Sequence, residues 1–262
     1  MIEPLGTQLW ADIRWREGWR VQRRWNQNSA RLLDPAGRAV VHGPTSRCEL
    51  ALDRCAPAAR PASHLVVLLH GLGRTRRSLA RLDRALFEAG FVTARLDYPS
   101  TRCTIDEHAR VVGELLERVP TPKRLSFVGH SLGALVTRRV FAAKRPWRAA
   151  AARVVMLAPP NQGASLATSL SRHALPRRIL GPSFLQIAAG QTASLPVPDV
   201  PIAIFAGDAL GTWGDGVVKV AETRLDAMVE HHVVPAIHTF IMNHPDVVSG
   251  VVSFLRATPH RR

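Results

Sequence analysis

Gly129-His130-Ser131-Leu132-Gly133 is the stretch of this chain whose residue types and spacing can do chemistry. The pattern is G-x-S-x-G, which presents a serine nucleophile when it joins a strand to a helix. Ser131 then sits in a strained turn, and the residues two positions either side must be small because strand and helix nearly touch. The helix aims its first N–H groups at the same point, where negative charge can form. The flanks have the required character. Leu125-Ser126-Phe127-Val128 is a short apolar run, and Ala134, Leu135, Val136, Val140 and Phe141 continue at helical spacing.

A serine hydroxyl is a poor nucleophile until a base takes its proton and an acid orients that base. With this motif the chain order is serine, acid, histidine. The base belongs on the loop leaving the last strand, expected at 232–236. His238 lies there and is the first choice, while His231 and His232 are at the strand's wrong end. His244, at the start of the last helix, is the alternative base. The acid should follow the strand at 202–206. Asp215, in Trp213-Gly214-Asp215-Gly216-Val217-Val218, is the first choice, since a Gly-rich loop can bring it back to the site. Asp208, directly after the strand, is the alternative. An oxyanion also needs two donors. Position assigns them to the backbone N–H groups of Leu132 and of Leu72, in the loop His70-Gly71-Leu72-Gly73. His70 is expected to support that loop rather than act as a base.

These groups need a scaffold, and the chain supplies one from residue 64. Buried strands are expected at 65–69, 91–96, 125–128, 153–157, 202–206 and 232–236. Helices are expected at 78–89, at 104–118 behind a Thr104/Glu107 capping box, after Ser131, and from Pro245 to Arg256. Repeated βα units imply an α/β fold, a mostly parallel sheet covered on both faces with active groups at the strands' carboxyl ends. Residues 164–198 read as irregular with helical pieces. Leu166, Leu170, Leu175, Ile179, Leu180, Phe184, Leu185 and Ile187 make them a candidate acyl-binding cover, or ordinary core packing.

The first 62 residues read as an extension packed on a catalytic domain of 63–262. A short helix is expected at 7–16, from Leu5, Leu9 and Ile13 at i, i+4, i+8. Trp19, Val21, Arg23 and Trp25 alternate as a strand, and Asp34-Pro35-Ala36-Gly37 turns a β-hairpin between 30–33 and 38–41. Residues 56–62 form a linker.

The chain has 262 residues, 46% of them apolar, enough for a sizeable core. Its net charge of +15 comes mostly from arginines spread through nearly every segment, which reads as solvated faces. No zinc-finger, RNA-recognition or helix-turn-helix signature points to nucleic acid. The Trp- and Arg-rich N-terminus is nonetheless a candidate for peripheral membrane contact. Cys48, Cys55 and Cys103 show no metal-ligand spacing and read as reduced thiols of a cytoplasmic protein. No secretory signal is expected in Met1–Gly6, and no metal or cofactor is expected.

Taken together, His70-Gly71, Gly129-His130-Ser131-Leu132-Gly133-Ala134, Pro159-Pro160-Asn161-Gln162-Gly163-Ala164, Asp215-Gly216-Val217-Val218 and His238 resemble the α/β-hydrolase superfamily, in its bacterial lipase and esterase branch. The resemblance covers roughly residues 64–257. It implies hydrolysis of a small-molecule or lipid ester through an acyl-serine intermediate. An acyltransferase or thioesterase on the same fold, or a non-catalytic module binding lipid or protein, are the alternatives. The segment 164–198 is shorter and less apolar than a full lipase lid.

Overall fold

The computed structural model describes residues 8–257. Expectations resting on Met1–Gly6, Leu5 among them, lie outside the described residues.

Two sheets make up the molecule. The larger has six parallel strands in the order β10-β9-β8-β7-β5-β6. They are β5 (His64–Leu69), β6 (Val92–Leu96), β7 (Arg124–His130), β8 (Ala151–Leu157), β9 (Ile202–Gly207) and β10 (Met228–Val234). The inner strands β5 and β9 are buried along their whole length and largely apolar because both faces are covered, whereas the edge strand β10 carries Glu230, His231 and His232 and is mostly exposed. In β5, Leu65, Val67 and Leu69 enter one core while Val66 and Leu68 enter the other. The first core is closed by α3 (Ile105–Glu117) and α4 (Leu132–Val140), the second by α2 (Ala80–Glu88) and α7 (Pro245–Arg256). Helix α3 opens on the expected capping box: Thr104 Oγ1 accepts from Glu107 N, and Glu107 accepts from Thr104 N. Strand β10 begins four residues before its expected start and ends at Val234, since Pro235 has no N–H for the ladder.

The smaller sheet is an antiparallel meander, β1 (Trp10–Arg16), β2 (Trp19–Arg24), β3 (Ala30–Leu33) and β4 (Ala39–Gly43). The helix expected at 7–16 is therefore a strand. Its i, i+4 spacing is overridden by the Glu17-Gly18 turn, where both residues have positive φ (47° and 84°) and fold β1 back on β2. A bulge between Asp12 and Arg14 breaks the period-2 signal that would have marked it. The hairpin expected over 30–41 is β3–β4. One face of this sheet buries Val21, Ala30 and Leu32 against Cys48 and Leu52 of α1 (Thr45–Cys55), a helix not anticipated from the sequence.

The meander covers the β6 end of the main sheet, an edge that would otherwise be open. Asp12 N donates to Asp97 O (2.9 Å), and Asp97 N donates to Asp12 Oδ2 (2.7 Å). Arg20, almost fully buried, pairs with Asp12 (3.1 Å) and donates to Arg95 O (2.8 Å).

Residues 164–198 contain α5 (Ser165–Leu170) and α6 (Ala174–Ala188). Helix α6 is broken at Gly181 (φ 76°), where a Cβ would come 1.9 Å from Thr101 O. Beyond the break it is pinned to the loop before α3: Ser183 Oγ donates to Cys103 O, and Ile105 N to Gln186 Oε1 (both 2.8 Å).

Candidate active site

The turn between β7 and α4 places Ser131 at φ 52°, ψ −116°, a conformation costly for any residue with a Cβ. Close packing around it enforces the turn. A Cβ on Gly129 would lie 2.4 Å from Ala134 N, and one on Gly133 only 2.2 Å from Leu69 O. Both contacts are to backbone, so neither can be relieved by a side-chain movement.

Ser131 Oγ is 3.0 Å from His238 Nε2, and His238 Nδ1 is 2.7 Å from Asp215 Oδ2. The Asp215 carboxylate can only accept, so Nδ1 carries the proton and Nε2 presents its lone pair to the serine hydroxyl. Asp215 is fixed in turn. Its other oxygen accepts from Val217 N (2.9 Å) and Val218 N (2.7 Å), and its carbonyl accepts from His238 N (2.9 Å). The Asp215 side chain is fully buried and that of His238 nearly so, which strengthens this pair relative to water.

The alternatives lie elsewhere. Asp208 is exposed beyond β9, with its backbone N–H bonded to Val234 O. His244 is the N-cap residue of α7 and faces Asp246 at 3.9 Å. His231 and His232 are inside β10, bonded to Thr223 Oγ1 and Glu230.

Leu132 is the first residue of α4, and its N–H is one of the four that a helix leaves unsatisfied. Leu72 lies on the loop leaving β5. Among the described residues neither N–H donates to a protein acceptor. That loop is braced by residues that belong to no motif. Gly73 N donates to Ser100 Oγ (3.0 Å), Ser100 Oγ donates to Gln8 Oε1 (2.7 Å), and Gln8 Nε2 donates to Arg74 O (2.7 Å). Gln8 belongs to the N-terminal segment, so the extension reaches the site. His70 is fully buried, stacked on Tyr98 at 4.1 Å, with Nδ1 2.9 Å from Gly71 O.

His130, the residue before the serine, also holds the site's backbone. Its Nε2 donates to His238 O (3.0 Å), fixing the backbone of the candidate base. Burial first, and then the nearby His238, hold the His130 ring well below the usual imidazole range, so it is neutral there.

Above Ser131 lies a cavity of about 240 Å³. Its walls are apolar: Leu166 and Leu170 of α5, Leu180, Phe184 and Ile187 of α6, and Val218. Ser131, His238 and Leu72 meet at one end of it. Among the described residues, no group of three or more His, Cys, Asp or Glu is placed to hold a metal ion.

A strand–serine–helix turn, with an acid and a histidine delivered by the loops after β9 and β10, thus lies at the carboxyl ends of a parallel sheet. The sequence model of the alpha/beta hydrolase family matches residues 66–251, and the chain belongs to that family. No curated protein matches the sequence. The fold is shared with solved structures of low identity. The mature lipase BlEst2 of Bacillus licheniformis is 16% identical with a TM-score of 0.63, over 75% of this chain and 94% of that one. The metagenomic carboxyl esterase MGS0156 is 17% identical with a TM-score of 0.58, over 76% and 80%. The RedJ thioesterase of Streptomyces coelicolor is 18% identical with a TM-score of 0.52, over 77% and 94%.

Proposed function

We propose that this chain is a serine hydrolase of carboxylic esters, with residues 63–262 as its catalytic unit and 1–62 as an extension packed on it. The observation that carries the reading is the continuous hydrogen-bonded run from Ser131 Oγ through His238 to Asp215, opening into an apolar cavity.

His238 Nε2 takes the proton as Ser131 Oγ attacks the acyl carbon, and the carbonyl oxygen becomes an oxyanion. The free N–H groups of Leu132 and Leu72 donate to that oxygen, a contribution worth about 2.7–4 kcal/mol per donor in comparable sites. Asp215 holds the imidazole in the productive tautomer and offsets the positive charge that forms on it. His238 then passes the proton to the departing alkoxide, leaving an acyl-serine. Water enters, gives a proton to His238 and attacks the acyl carbon; His238 then returns that proton to Ser131 Oγ as the acid leaves. The cavity under α5 and α6 takes the acyl chain, and its size favours short and medium chains over long ones.

The test is hydrolysis of a p-nitrophenyl ester series from acetate to palmitate by wild type and Ser131→Ala, with acyl thioesters as a second series. The expected result is turnover of esters with a short-to-medium optimum and none in the variant. Equal rates in the two proteins would refute the mechanism, and a preference for thioesters would shift the substrate class.

A further inference from the structure

In the first half of α6, 174–180, apolar side chains lie both toward the cavity and in solvent, beside the exposed Arg177 and Arg178. Leu180 faces the cavity, yet Leu175 and Ile179, one turn apart, are 68% and 46% exposed. A helix with a second, outward apolar face has no reason to keep it in water. The neighbouring loops repeat the anomaly. Trp213, on the loop that carries Asp215, is 69% exposed, and Phe240, two residues past His238, is 54% exposed. Val217 and Leu170, which line the cavity, are also exposed. Several large apolar side chains left in solvent thus belong to the segments that also line the cavity above Ser131, although Phe87, Val229 and Leu50 are exposed elsewhere; such a patch can mark an interaction surface.

The cover segment itself carries charge of one sign, although Glu222 and Asp106 bond to its two helices. Residues 164–198 contain no Asp or Glu, while Arg172, Arg177 and Arg178 are exposed and form no ion pair among the described residues. Elsewhere some exposed arginines are matched, as in Arg84–Glu88 and Arg110–Glu114, while others such as Arg47, Arg81 and Arg224 form no ion pair among the described residues. Of the N-terminal tryptophans, Trp10 is covered by the Arg31 guanidinium at 4.1 Å and Trp15 and Trp19 pack against cores, while Trp25 is exposed.

We infer that the outward face of α6, with Trp213 and Phe240, docks on an anionic phospholipid bilayer and sets the opening above Ser131 against the membrane surface. Aliphatic and aromatic tips enter the headgroup region while the arginines meet anionic headgroups. A second copy of the chain is a poor occupant, because two molecules of net charge +15 repel. The contact is peripheral: among the described residues no helix is long and apolar enough to cross a membrane. The proposal goes beyond the ester reading and does not depend on it.

Co-sedimentation of the full chain with vesicles tests it, using phosphatidylglycerol/phosphatidylcholine mixtures against phosphatidylcholine alone. Binding is expected to the anionic vesicles and to weaken strongly in salt above about 0.5 M. Each arginine near the surface is worth roughly fivefold, so Arg172→Gln/Arg177→Gln/Arg178→Gln should lower the partition coefficient by about a hundredfold. Leu175→Ser/Ile179→Ser should also lower it, with an unchanged circular dichroism spectrum. No binding to anionic vesicles at low salt overturns the proposal and leaves the face to an acidic protein. A loss confined to Trp25→Ala overturns it in favour of the N-terminal sheet. Phosphonate labelling of Ser131 in the same samples separates the two readings. Labelled protein that ignores vesicles overturns docking alone, and unlabelled protein that binds them overturns ester hydrolysis alone.

Discussion

Arg138 is fully buried in α4 and has no carboxylate partner among the described residues. Its guanidinium is satisfied by neutral acceptors instead. Nη1 donates to Thr192 O (2.9 Å) and Asn161 Oδ1 (3.1 Å), Nε to Pro196 O (3.1 Å), and Nη2 to Leu195 O. Burial pushes its pKa down to about 10, so it stays charged at neutral pH. One side chain therefore ties the helix that follows Ser131 to the end of the cover segment and to the loop after β8. Replacing it with Met keeps the volume but leaves four acceptors without donors. At about 1–1.5 kcal/mol each the loss is about 4–6 kcal/mol. Removing a desolvated charge returns part of that, since burying one costs several kcal/mol. The net expectation is a destabilisation of about 3 kcal/mol, or roughly 6–12 °C in Tm at this chain length. Arg138→Lys retains the charge but not the planar fork, and should fall between the two. Thermal unfolding of the three proteins is the assay. A Tm for Arg138→Met within about 2 °C of wild type would refute the view that these bonds hold the cover in place.

Three further outcomes follow from the geometry. Gly133→Ala must push a Cβ against Leu69 O at 2.2 Å, so the variant should lose nearly all ester turnover and several °C of Tm, read by the p-nitrophenyl assay and calorimetry. Gln8→Ala removes the brace on Ser100 and Arg74 O, and should lower kcat about tenfold with little change in KM if Leu72 N–H acts mainly in the transition state. Finally, burial pushes the His108 pKa down to about 3, with His70 adding to the effect, and burial pushes His64 to about 4, with Arg124 and Arg153 adding. The unfolded chain binds protons that the folded one refuses between those values and about 6.5. Stability is thus fully present above pH 6.5 and declines as pH falls toward 3–4. Urea midpoints should drop on acidification, less steeply in His108→Phe, and an identical slope in that variant would contradict the assignment.

Much of the scaffold was legible because local chemistry and tertiary role agree. The apolar runs of β5, β7, β8 and β9 have no other use than a doubly covered sheet, and Thr104 with Glu107 announces α3. The N-terminus was misread where two signals compete. Leu9 and Ile13 lie at helical spacing, while the Glu17-Gly18 turn that decides the matter occupies two residues. Helix α1 was missed although Cys48, Ala51, Leu52 and Cys55 recur at i, i+3, i+4, i+7. Helix α6 was blurred by Gly181-Pro182 in its middle. For the candidate site, the sequence supplies residue types and chain order only. What separates Asp215 from Asp208 is a loop that folds back until Asp215 O meets His238 N, a contact 23 residues apart with no local signature. The N–H groups of Leu72 and Leu132 are invisible to side-chain reasoning, and so are Gln8 and Arg138, whose work is to hold backbone.

The most direct measurement is fluorophosphonate labelling followed by mass spectrometry of wild type, Ser131→Ala and His238→Ala. The account predicts one adduct per chain on Ser131 in wild type, none in Ser131→Ala, and labelling slowed by orders of magnitude in His238→Ala. No adduct on the wild-type protein, or an adduct on a different serine, would contradict it.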